Sequence, residues 1–357
     1  MKIAFYTNIV SPHQLPFARE LVKRVGAENY RYIYSEALHA ERSAMGWGDV
    51  QEPWILSLND LRDEATRWLE EADVLILGHR DLALIERRCK KGLRTFYASE
   101  RWFKPIPLFH LTVPGWLRLI VPRYFFMVRR FVSLARQYDN FRLLPYGVWA
   151  VRDFLRMGVA SNKMTTWGYA VAPTASEVKR QPLGLPIRIL WVGRMLKLKN
   201  VDTIIRAVVR ANARTGTQTF ALTLVGDGPE KANLQHLVEQ LEAQSVVTFL
   251  PSCPIHEVRH FMRQHNVYVF ASNGLDGWGA VVSEALEEGM FCLGTREAGA
   301  PVTLLPKTCQ FHVRDVKGLA DRLLLARAAK LPRTEIGQWS ASKLAERFMT
   351  LCEGVEC

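Results

Sequence analysis

The chain has 357 residues, of which 48% are hydrophobic and 23% are charged. This length and composition fit two globular domains of ordinary size. A formal charge of +12 and a pI of about 9.5 indicate an anionic partner, which leaves nucleic acid, an anionic membrane surface and a phosphorylated substrate open.

Membrane-spanning, secreted and metal-bound classes are disfavoured. No run of about 18 uncharged apolar residues occurs, so we expect no spanning helix. The first residues, MKIAFYTNIV, are typical of a strand and lack the features of a signal peptide, so we expect a cytoplasmic protein. The cysteines show no Cys-x-x-Cys spacing, which indicates incidental thiols instead of a zinc site or disulfides. They are Cys89, Cys253, Cys292, Cys309, Cys352 and Cys357.

Short apolar runs alternate with amphipathic segments along the whole chain. The strand-like runs are, in order, Lys2–Tyr6, Tyr30–Tyr34, Asp73–Leu77, Arg94–Tyr97, Ile187–Val192, Ala221–Val225, Val246–Leu250 and Val267–Phe270. Two segments have helical i, i+3, i+4, i+7 spacing of apolar residues: Val201, Ile204, Ile205 and Val208, then Leu234, Leu237, Val238 and Leu241. This alternation predicts α/β folding with parallel sheets covered by helices.

The alternation occurs twice, on either side of a polar, proline-rich stretch at 172–186 that we interpret as a linker. We therefore predict two doubly wound, Rossmann-like domains, at 1–175 and 187–335, and a final helix within 336–357 that crosses back to the first domain. Ligands of open α/β sheets bind at the carboxyl ends of the strands. A cleft between the two domains is the expected site.

Two motifs follow the first strands of the second half. Gly193 ends a strand and is followed by two cations, Arg194 and Lys199, which suit a diphosphate. Gly226-Asp227-Gly228-Pro229-Glu230 predicts a tight turn and then a helix with a proline and an acid in its first turn. Alone, the first motif also fits two solvated surface cations, and the second also fits a simple strand-to-helix turn.

The most informative motif is a glycine-rich loop before a helix that we expect to run from about Ala280 to Gly289. Helix-start amides at Ala280 and Val281 attract phosphate oxygens. Asp276 and Glu284 suit sugar and ribose hydroxyls on either side of the phosphates. The loop itself contributes Gly277, Trp278 and Gly279.

Together these segments resemble the donor domain of retaining glycosyltransferases of the GT-B fold, family GT4, over roughly 187–300. The resemblance implies that Gly193, Arg194, Lys199 and Gly226 lie around the diphosphate, that Asp276 and Glu284 form the family's acid-x7-Glu element, and that Ala298–Pro301 lies near the donor. Two positions depart from the family pattern. Asp276 stands where Glu is usual, and Asn200 stands where Gly is usual.

The first half resembles the family less. The loop after its first strand contains His13 but none of the paired glycines that the family often places against the phosphates. Ser99, Glu100 and Arg101 follow a later strand, where relatives often carry a His near the transferred sugar. We select Glu100 as a catalytic candidate beside Arg194, Lys199 and Asp276. The other acceptor candidates are His13, His79, Ser99 and Arg101, and the alternative for Glu100 and Arg101 is a surface charge pair.

The segment 101–138 contains seven cations and no acid, interspersed with aromatic residues. This pattern suits an anionic membrane surface. The alternative is a buried core helix with solvated arginines. No nucleic-acid-binding module is recognised, so a nucleic-acid partner is disfavoured.

The resemblance implies transfer of a sugar, with retention, from a UDP- or GDP-linked donor to a glycan or lipid-linked acceptor in cell-surface polysaccharide or lipopolysaccharide assembly. No convincing Asp-x-Asp metal motif occurs, so we expect Arg194, Lys199 and helix amides to stabilise the leaving diphosphate without a metal. We expect no cofactor and no bound metal. Alternatives are a GT-B epimerase or phosphorylase, or a basic membrane- or nucleic-acid-binding protein with an inactive donor site. A nicotinamide-dependent dehydrogenase is disfavoured because no G-x-G-x-x-G follows the first strand.

Overall fold

The computed structural model describes residues 1–38, 50–108, 111–173 and 184–354. These form two compact units. The first takes the described residues up to Ala172 and again from Gln338 onward, and the second extends from Pro173 to Gly337. The predicted linker lies mostly outside the described residues.

The first unit is built on a six-stranded sheet in which every strand is parallel to its neighbours. Its strands are β1 (Ile3–Thr7), β2 (Tyr30–Tyr34), β3 (Ile55–Ser57), β4 (Val74–Leu77), β5 (Arg94–Ser99) and, after a short hairpin of β6 (Ile106–Leu108) and β7 (Leu111–Val113), β8 (Phe141–Pro145). The sheet order is β3-β2-β1-β4-β5-β8. Strands β1 and β4 are buried along their full length, as expected for strands covered on both faces.

Among the described residues, the α-helices that follow the strands of this unit are α1 (Leu15–Val25), α2 (Arg62–Glu71), α3 (Leu82–Lys90), α4 (Pro122–Gln137) and α5 (Gly147–Met157). Local sequence explains several helix starts. Pro16 occupies the first turn of α1, where its missing N–H costs nothing. The side chain of Asp81 caps α3 by accepting from the amide of Leu84 at 2.9 Å.

The second unit repeats the same sheet plan with strands β9 (Ile187–Val192), β10 (Phe220–Val225), β11 (Val247–Leu250), β12 (Val267–Phe270), β13 (Phe291–Thr295) and β14 (Gln310–Phe311). Their order is β11-β10-β9-β12-β13-β14, again all parallel. The helices are α6 (Val201–Thr215), α7 (Lys231–Gln240), α8 (Ile255–Gln264), α9 (Ala280–Glu287), α10 (Gly299–Leu304) and α11 (Val316–Arg327). The carboxyl ends of β9, β10 and β12 therefore lie at one edge of this sheet.

The last helix, α12 (Ala341–Glu353), belongs to the first unit. Its Phe348 packs edge-on against Phe17 and Phe96, with ring centroids 5.7 and 5.0 Å apart. The backbone of Ser340, just before the helix, forms a parallel bridge with Val171. These contacts fix the end of the described chain to α1 and the first sheet.

The predicted α/β class with two Rossmann-like sheets is confirmed. Each of the eight predicted strands overlaps an observed strand, and both periodic segments are helices. Six strands of the described chain escaped prediction. Five of them are short or interrupted: β3, β6 and β7 have three residues each, β14 has two, and β13 contains Gly294, whereas β8 was missed although it has five residues.

Candidate functional site

Two loops cross closely at the carboxyl ends of β9 and β10. Gly226 has φ 142°, and a Cβ there would lie 2.0 Å from the carbonyl oxygen of Gly193. A Cβ at Gly228, with φ 149°, would lie 2.6 Å from the carbonyl oxygen of Met195. Both the backbone conformation and the lack of space require glycine at these two positions.

Hydrogen bonds join the same two loops. The amide of Met195 donates to the carbonyl of Asp227 at 2.7 Å, and the amide of Glu230 donates to the carbonyl of Met195 at 3.0 Å. Helix α7 begins only at Lys231, so the prediction that Pro229 and Glu230 lie in its first turn was wrong. The bond from Glu230 to Met195 ties this stretch to the neighbouring loop before the helix begins.

A third loop, after β12, joins the first through Asn273, whose amide donates to the carbonyl of Leu198 at 2.9 Å. Within it, the carboxylate of Asp276 accepts from the ammonium of Lys199 at 2.5 Å. Both side chains are about one-fifth exposed, and the Lys199 ammonium lies 5.7 Å from the ring centroid of Phe270. The structure thus brings together Lys199 and Asp276, which the sequence assigned to different parts of a ligand.

Asn200 supplies the backbone turn between the Lys199 loop and α6. It has φ 48° and ψ 45°, the left-handed conformation that glycine adopts most easily and that asparagine tolerates. Its side-chain amide donates to the carbonyls of Leu198 and Ala271, at 3.0 and 3.2 Å. These bonds explain how asparagine occupies a position where the resembling family usually has glycine.

The loop before α9 is held from both sides. Gly279 has φ 88°, and a Cβ there would lie 2.6 Å from the ring of Phe270. The buried indole of Trp278 donates to the hydroxyl of Ser283 at 3.3 Å. The backbone carbonyl of Trp278 accepts from the amide of Ala300 at 2.7 Å. These contacts tie the loop to Phe270 of β12, to Ser283 of α9 and to Ala300 of α10.

Helix α9 begins at Ala280, as predicted, and presents the backbone amides of Ala280 and Val281 in its first turn. Gly289 follows the helix in the left-handed conformation, with φ 70°. The half-buried Glu284 lies on the second turn, whereas Arg194 in the β9 loop is exposed.

Sequence reasoning missed Tyr268, which lies on β12 below these groups. Its hydroxyl donates to the carbonyl of Val192 at 3.5 Å. Burial raises the pKa of Tyr268 well above its usual value, and the nearby Cys292, Glu284 and Asp276 raise it further. A tyrosine within a buried strand gives no sequence signal that separates it from a core residue.

In the first unit, Glu100 follows β5 and forms hydrogen bonds with two side chains. It accepts from the ammonium of Lys104 at 2.9 Å and from the hydroxyl of Tyr169 at 3.4 Å. The ring of Tyr169 lies 5.9 Å from that of His13. Tyr169 thus lies next to both candidates, and the cavity beside it, also lined by Gln14, has a volume of about 10 Å³, enough for one water.

Arg101 does not pair with Glu100. Its guanidinium lies 3.6 Å from the buried carboxylate of Asp153 and over the ring of Trp149. The alternative of a Glu100–Arg101 surface pair is therefore wrong, since Arg101 is drawn inward by Asp153, which also accepts from the amide of Phe103 at 2.8 Å. Asp153 is a buried partner that sequence reasoning missed.

The two remaining candidates of this unit differ in surroundings. The hydroxyl of Ser99 donates to the carbonyl of Glu100 at 2.8 Å and accepts from the indole of Trp102 at 3.2 Å. His79 is exposed, with its ring 5.9 Å from that of Tyr6. Ser99 therefore shapes the turn that carries Glu100, whereas the ring of His79 is accessible to solvent.

The segment 101–138 divides between core and surface. Trp102, Phe103 and Phe131 are buried, whereas Trp116 and Phe126 are exposed. The interpretation as a buried core therefore fits some residues of the segment, and the interpretation as an exposed basic and aromatic surface fits others. Within the described ranges, no helix is long and apolar enough to cross a membrane.

Metal ligands and disulfides are also absent from the described part of the chain. It contains no group of three or more His, Cys, Asp or Glu side chains placed to hold a metal ion. The five cysteines within it are unbridged, and Cys357 lies outside the described residues.

Comparisons with known proteins point to one family. Residues 176–333 match the family model described as glycosyl transferases group 1. D-inositol 3-phosphate glycosyltransferase of Corynebacterium jeikeium is 31% identical over 138 residues, which cover 36% of this chain and 33% of that protein. N-acetyl-alpha-D-glucosaminyl L-malate synthase of Bacillus anthracis is 29% identical over 164 residues, 45% of this chain and 41% of that protein. This chain thus matches well under half of the length of either relative.

Solved structures extend the likeness of fold to the whole chain. The lipopolysaccharide outer core galactosyltransferase WaaB has a TM-score of 0.68 at 15% identity and covers 99% of both chains. Anabaena HepE in complex with UDP has a TM-score of 0.61 at 14% identity and covers 99% of this chain and 97% of its own. At these identities the likeness establishes the fold, which confirms the predicted GT-B class.

Proposed function

We propose that this chain transfers a hexose-type sugar from a UDP- or GDP-linked donor to a glycan or lipid-linked acceptor. The match of residues 176–333 to the glycosyl transferases group 1 model supports this proposal. The observation that carries this proposal is that the loop after β9 contacts both neighbouring loops. It crosses the loop after β10 at Gly193 and Met195, and it joins the loop after β12 through the Lys199–Asp276 ion pair. One edge of the second sheet thereby combines cations, helix-start amides and carboxylates. A nucleotide sugar presents phosphates between two sets of hydroxyls, which those groups complement.

The donor is bound by residues of the second domain. Arg194 and Lys199 attract the diphosphate, and the amides of Ala280 and Val281 donate to its oxygens. Glu284 accepts from ribose hydroxyls and Asp276 from hydroxyls of the sugar. Gly193, Gly226, Gly277 and Gly279 keep the backbone close to the ligand, and the buried Trp278 holds the loop in place.

Transfer retains the configuration at the anomeric carbon. The acceptor oxygen forms its bond to that carbon on the face from which the diphosphate leaves, the carbon–oxygen bond to the diphosphate breaks, and the acceptor proton passes to a phosphate oxygen. The chain's cations and amides stabilise the growing negative charge on the diphosphate, so the reaction needs no metal. Preorganised donors suit this task because they do not reorient as charge develops.

The first domain binds the acceptor near the carboxyl ends of β1, β4 and β5. Glu100 is the group proposed to contact the reacting sugar, with His13 and His79 in reach of the acceptor. Ser99 and Arg101 support the loop that carries Glu100. The hydrogen bonds of Glu100 to Lys104 and Tyr169 support this assignment because they fix the carboxylate in one place.

We further propose that the protein works in the cytoplasm at the inner face of a membrane, in the assembly of cell-surface polysaccharide or lipopolysaccharide. The exposed aromatic and basic residues between 113 and 138 support a peripheral contact with anionic lipid. We propose no nucleic-acid partner.

A donor screen tests the proposed function. The purified chain is incubated with a panel of UDP- and GDP-sugars and a cell-envelope lipid extract as acceptor, and release of UDP or GDP is followed with and without EDTA. We expect release from one donor class, with EDTA having no effect. Binding of neither UDP nor GDP would overturn the donor site, and binding without turnover or product would favour an inactive site.

A further inference from the structure

A surface groove of about 660 Å³ lies beside α4 and the end of α5. This volume is within the range of about 300–1,000 Å³ that accommodates small organic ligands. Its apolar lining comes from Leu119, Phe125, Val128, Val132 and Met157. The groove therefore has an apolar strip on the surface of the first domain, next to the polar side chains of Ser133 and Gln137.

Three arginines, and no acidic residue, line the same groove: Arg129, Arg136 and Arg156. Arg136 is engaged within the protein, because its guanidinium donates to the carbonyl of Gly158 at 2.9 and 3.2 Å. Arg129 and Arg156 are both exposed. An apolar floor next to these two cations is complementary to an amphipathic anion.

Exposed apolar residues continue from the groove along the start of α4 and the turn before it. Ile120 is 79% exposed and Phe126 is 63% exposed, and Trp116 and Val121 are also exposed. Large apolar groups rarely cluster in water without a partner. Their position next to a basic groove indicates a partner that is apolar and anionic at once.

We propose that this groove, defined by Arg129, Arg156 and the apolar lining above, binds one anionic phospholipid of the membrane surface. An acyl chain lies along Leu119, Val128, Val132 and Met157, and the phosphate contacts the guanidinium groups of Arg129 and Arg156. Nucleic acid fits less well, because a largely aliphatic floor offers little flat surface for stacked bases. The inference rests on the proposed membrane location but not on sugar transfer.

The test uses vesicles of phosphatidylcholine with about one-third phosphatidylglycerol, and vesicles of phosphatidylcholine alone, in a sedimentation assay. The variant Arg129→Gln/Arg156→Gln is compared with Arg206→Gln/Arg210→Gln, which removes two exposed arginines of α6 in the second domain. Each arginine near an anionic surface contributes about fivefold, so we expect about twenty-fivefold weaker binding for the first pair and no change for the second. Equal losses in both pairs would overturn a defined site in favour of net charge alone.

A second variant distinguishes binding of a lipid within the groove from non-specific adsorption of the protein to the vesicle surface. Ser133 is an exposed residue of the groove, and Ser133→Trp fills the groove without altering charge. We expect it to weaken binding to anionic vesicles about tenfold. Unchanged binding by this variant would overturn the proposal that an acyl chain lies in the groove. If the unaltered protein bound glycerol 1-phosphate as tightly as it binds anionic vesicles, the groove would be an anion site without lipid specificity, and the proposal would also be overturned.

The same variants are titrated with UDP and GDP, which probe the second domain. Normal nucleotide binding together with lost vesicle binding supports the lipid groove independently of catalysis. Vesicle binding that is the same in every variant would refute the groove even if the donor screen succeeds.

Discussion

The ammonium of Lys199 lies 2.5 Å from a carboxylate oxygen of Asp276, so the proposed diphosphate ligand and the proposed sugar ligand form one ion pair. The bond that breaks in the proposed reaction joins the diphosphate to the sugar. Lys199 is proposed to contact the diphosphate and Asp276 the sugar, so we expect this bond to lie beside their ion pair.

Asp276→Asn separates the two roles of this pair. Loss of the carboxylate removes a competitor for Lys199, so we expect UDP or GDP to bind about fivefold more tightly, the value of roughly 1 kcal/mol for a partly exposed pair. Turnover falls at least about tenfold, because the sugar loses a ligand. The measurements are nucleotide titration and kcat for donor cleavage.

Asp276→Glu is the matched control for charge. It keeps the negative group but moves it by one methylene, so we expect near-normal nucleotide affinity and a changed ratio of kcat/KM between two donor sugars. Identical sugar preference in Asp276→Glu and the unaltered chain would contradict a role for Asp276 in selecting the sugar.

Lys199→Ala and Arg194→Ala test electrostatic stabilisation of the leaving diphosphate. Each loss removes a cation from the place where charge develops, and we expect about a hundredfold lower kcat/KM. Lys197→Ala, an exposed lysine of the same loop, is the control and should retain activity. Near-normal turnover in both test variants, or strict dependence of the chemistry on Mg²⁺, would refute the mechanism.

The loops of the proposed donor site could be located from sequence because they are short contiguous motifs that follow predicted strands. The glycines at 226 and 228 are visible in the sequence, and the structure requires glycine there because the backbone conformations and close contacts exclude a side chain. Tyr268 could not be found in this way. Its hydrogen bond to the carbonyl of Val192 depends on how the fold pairs the strands, and its own strand has the sequence pattern of a core strand.

In the first domain, the partners of the candidate side chains could not be predicted from local sequence motifs. Arg101 and Glu100 are adjacent in sequence, yet their partners, Asp153 and Lys104, differ because one side chain turns inward and the other outward. Asp153 lies on α5, and nothing in its local sequence predicts burial. The division of 101–138 between core and surface likewise depends on which face of α4 meets the sheet.

Gly226→Ala tests the crossing of the two loops. The added Cβ meets the carbonyl oxygen of Gly193 at 2.0 Å, so one loop must move. We expect the free energy of unfolding of the second domain to fall by about 3 kcal/mol or more, combining backbone strain with the clash. Nucleotide affinity should fall with it, because the β9 loop carries Arg194 and Lys199.

Gly216→Ala is the control for this clash. Gly216 also has a positive φ, 66°, but a Cβ there would meet no neighbouring atom of the described chain within 4 Å. Gly216→Ala should therefore lower the free energy of unfolding by about 1 kcal/mol and leave nucleotide affinity unchanged. Equal effects of the two substitutions, measured by urea unfolding, would show that close contact of the loops is unimportant.

His265 makes the stability of the second domain depend on pH. Burial lowers its pKa below the usual 6.5, and the ring nitrogens contact the carbonyl of Phe261 at 2.7 Å and the hydroxyl of Thr223 at 2.9 Å. The unfolded chain binds a proton more readily than the folded one, so the stabilisation is complete above about pH 6.5 and is lost as the pH falls through the folded-state pKa. His265→Gln should flatten this part of the urea-unfolding profile, whereas His236→Gln at an exposed position should not.

The Arg101–Asp153 pair gives the last prediction, on the first domain. Asp153 is buried and Arg101 is nearly so, and removal of one partner leaves the other charge without compensation. Asp153→Ala should lower the free energy of unfolding by about 3–5 kcal/mol. The double variant Arg101→Ala/Asp153→Ala should be less destabilised than Asp153→Ala alone, because no uncompensated charge remains.

Nucleotide titration of these variants shows where their effect lies. Because UDP and GDP are proposed to bind to the second domain, their affinity should stay within twofold of normal while acceptor turnover falls as the Glu100 loop loosens. An Arg101→Ala variant with full stability and reduced turnover would contradict the supporting role of Arg101 and indicate direct contact with the acceptor instead.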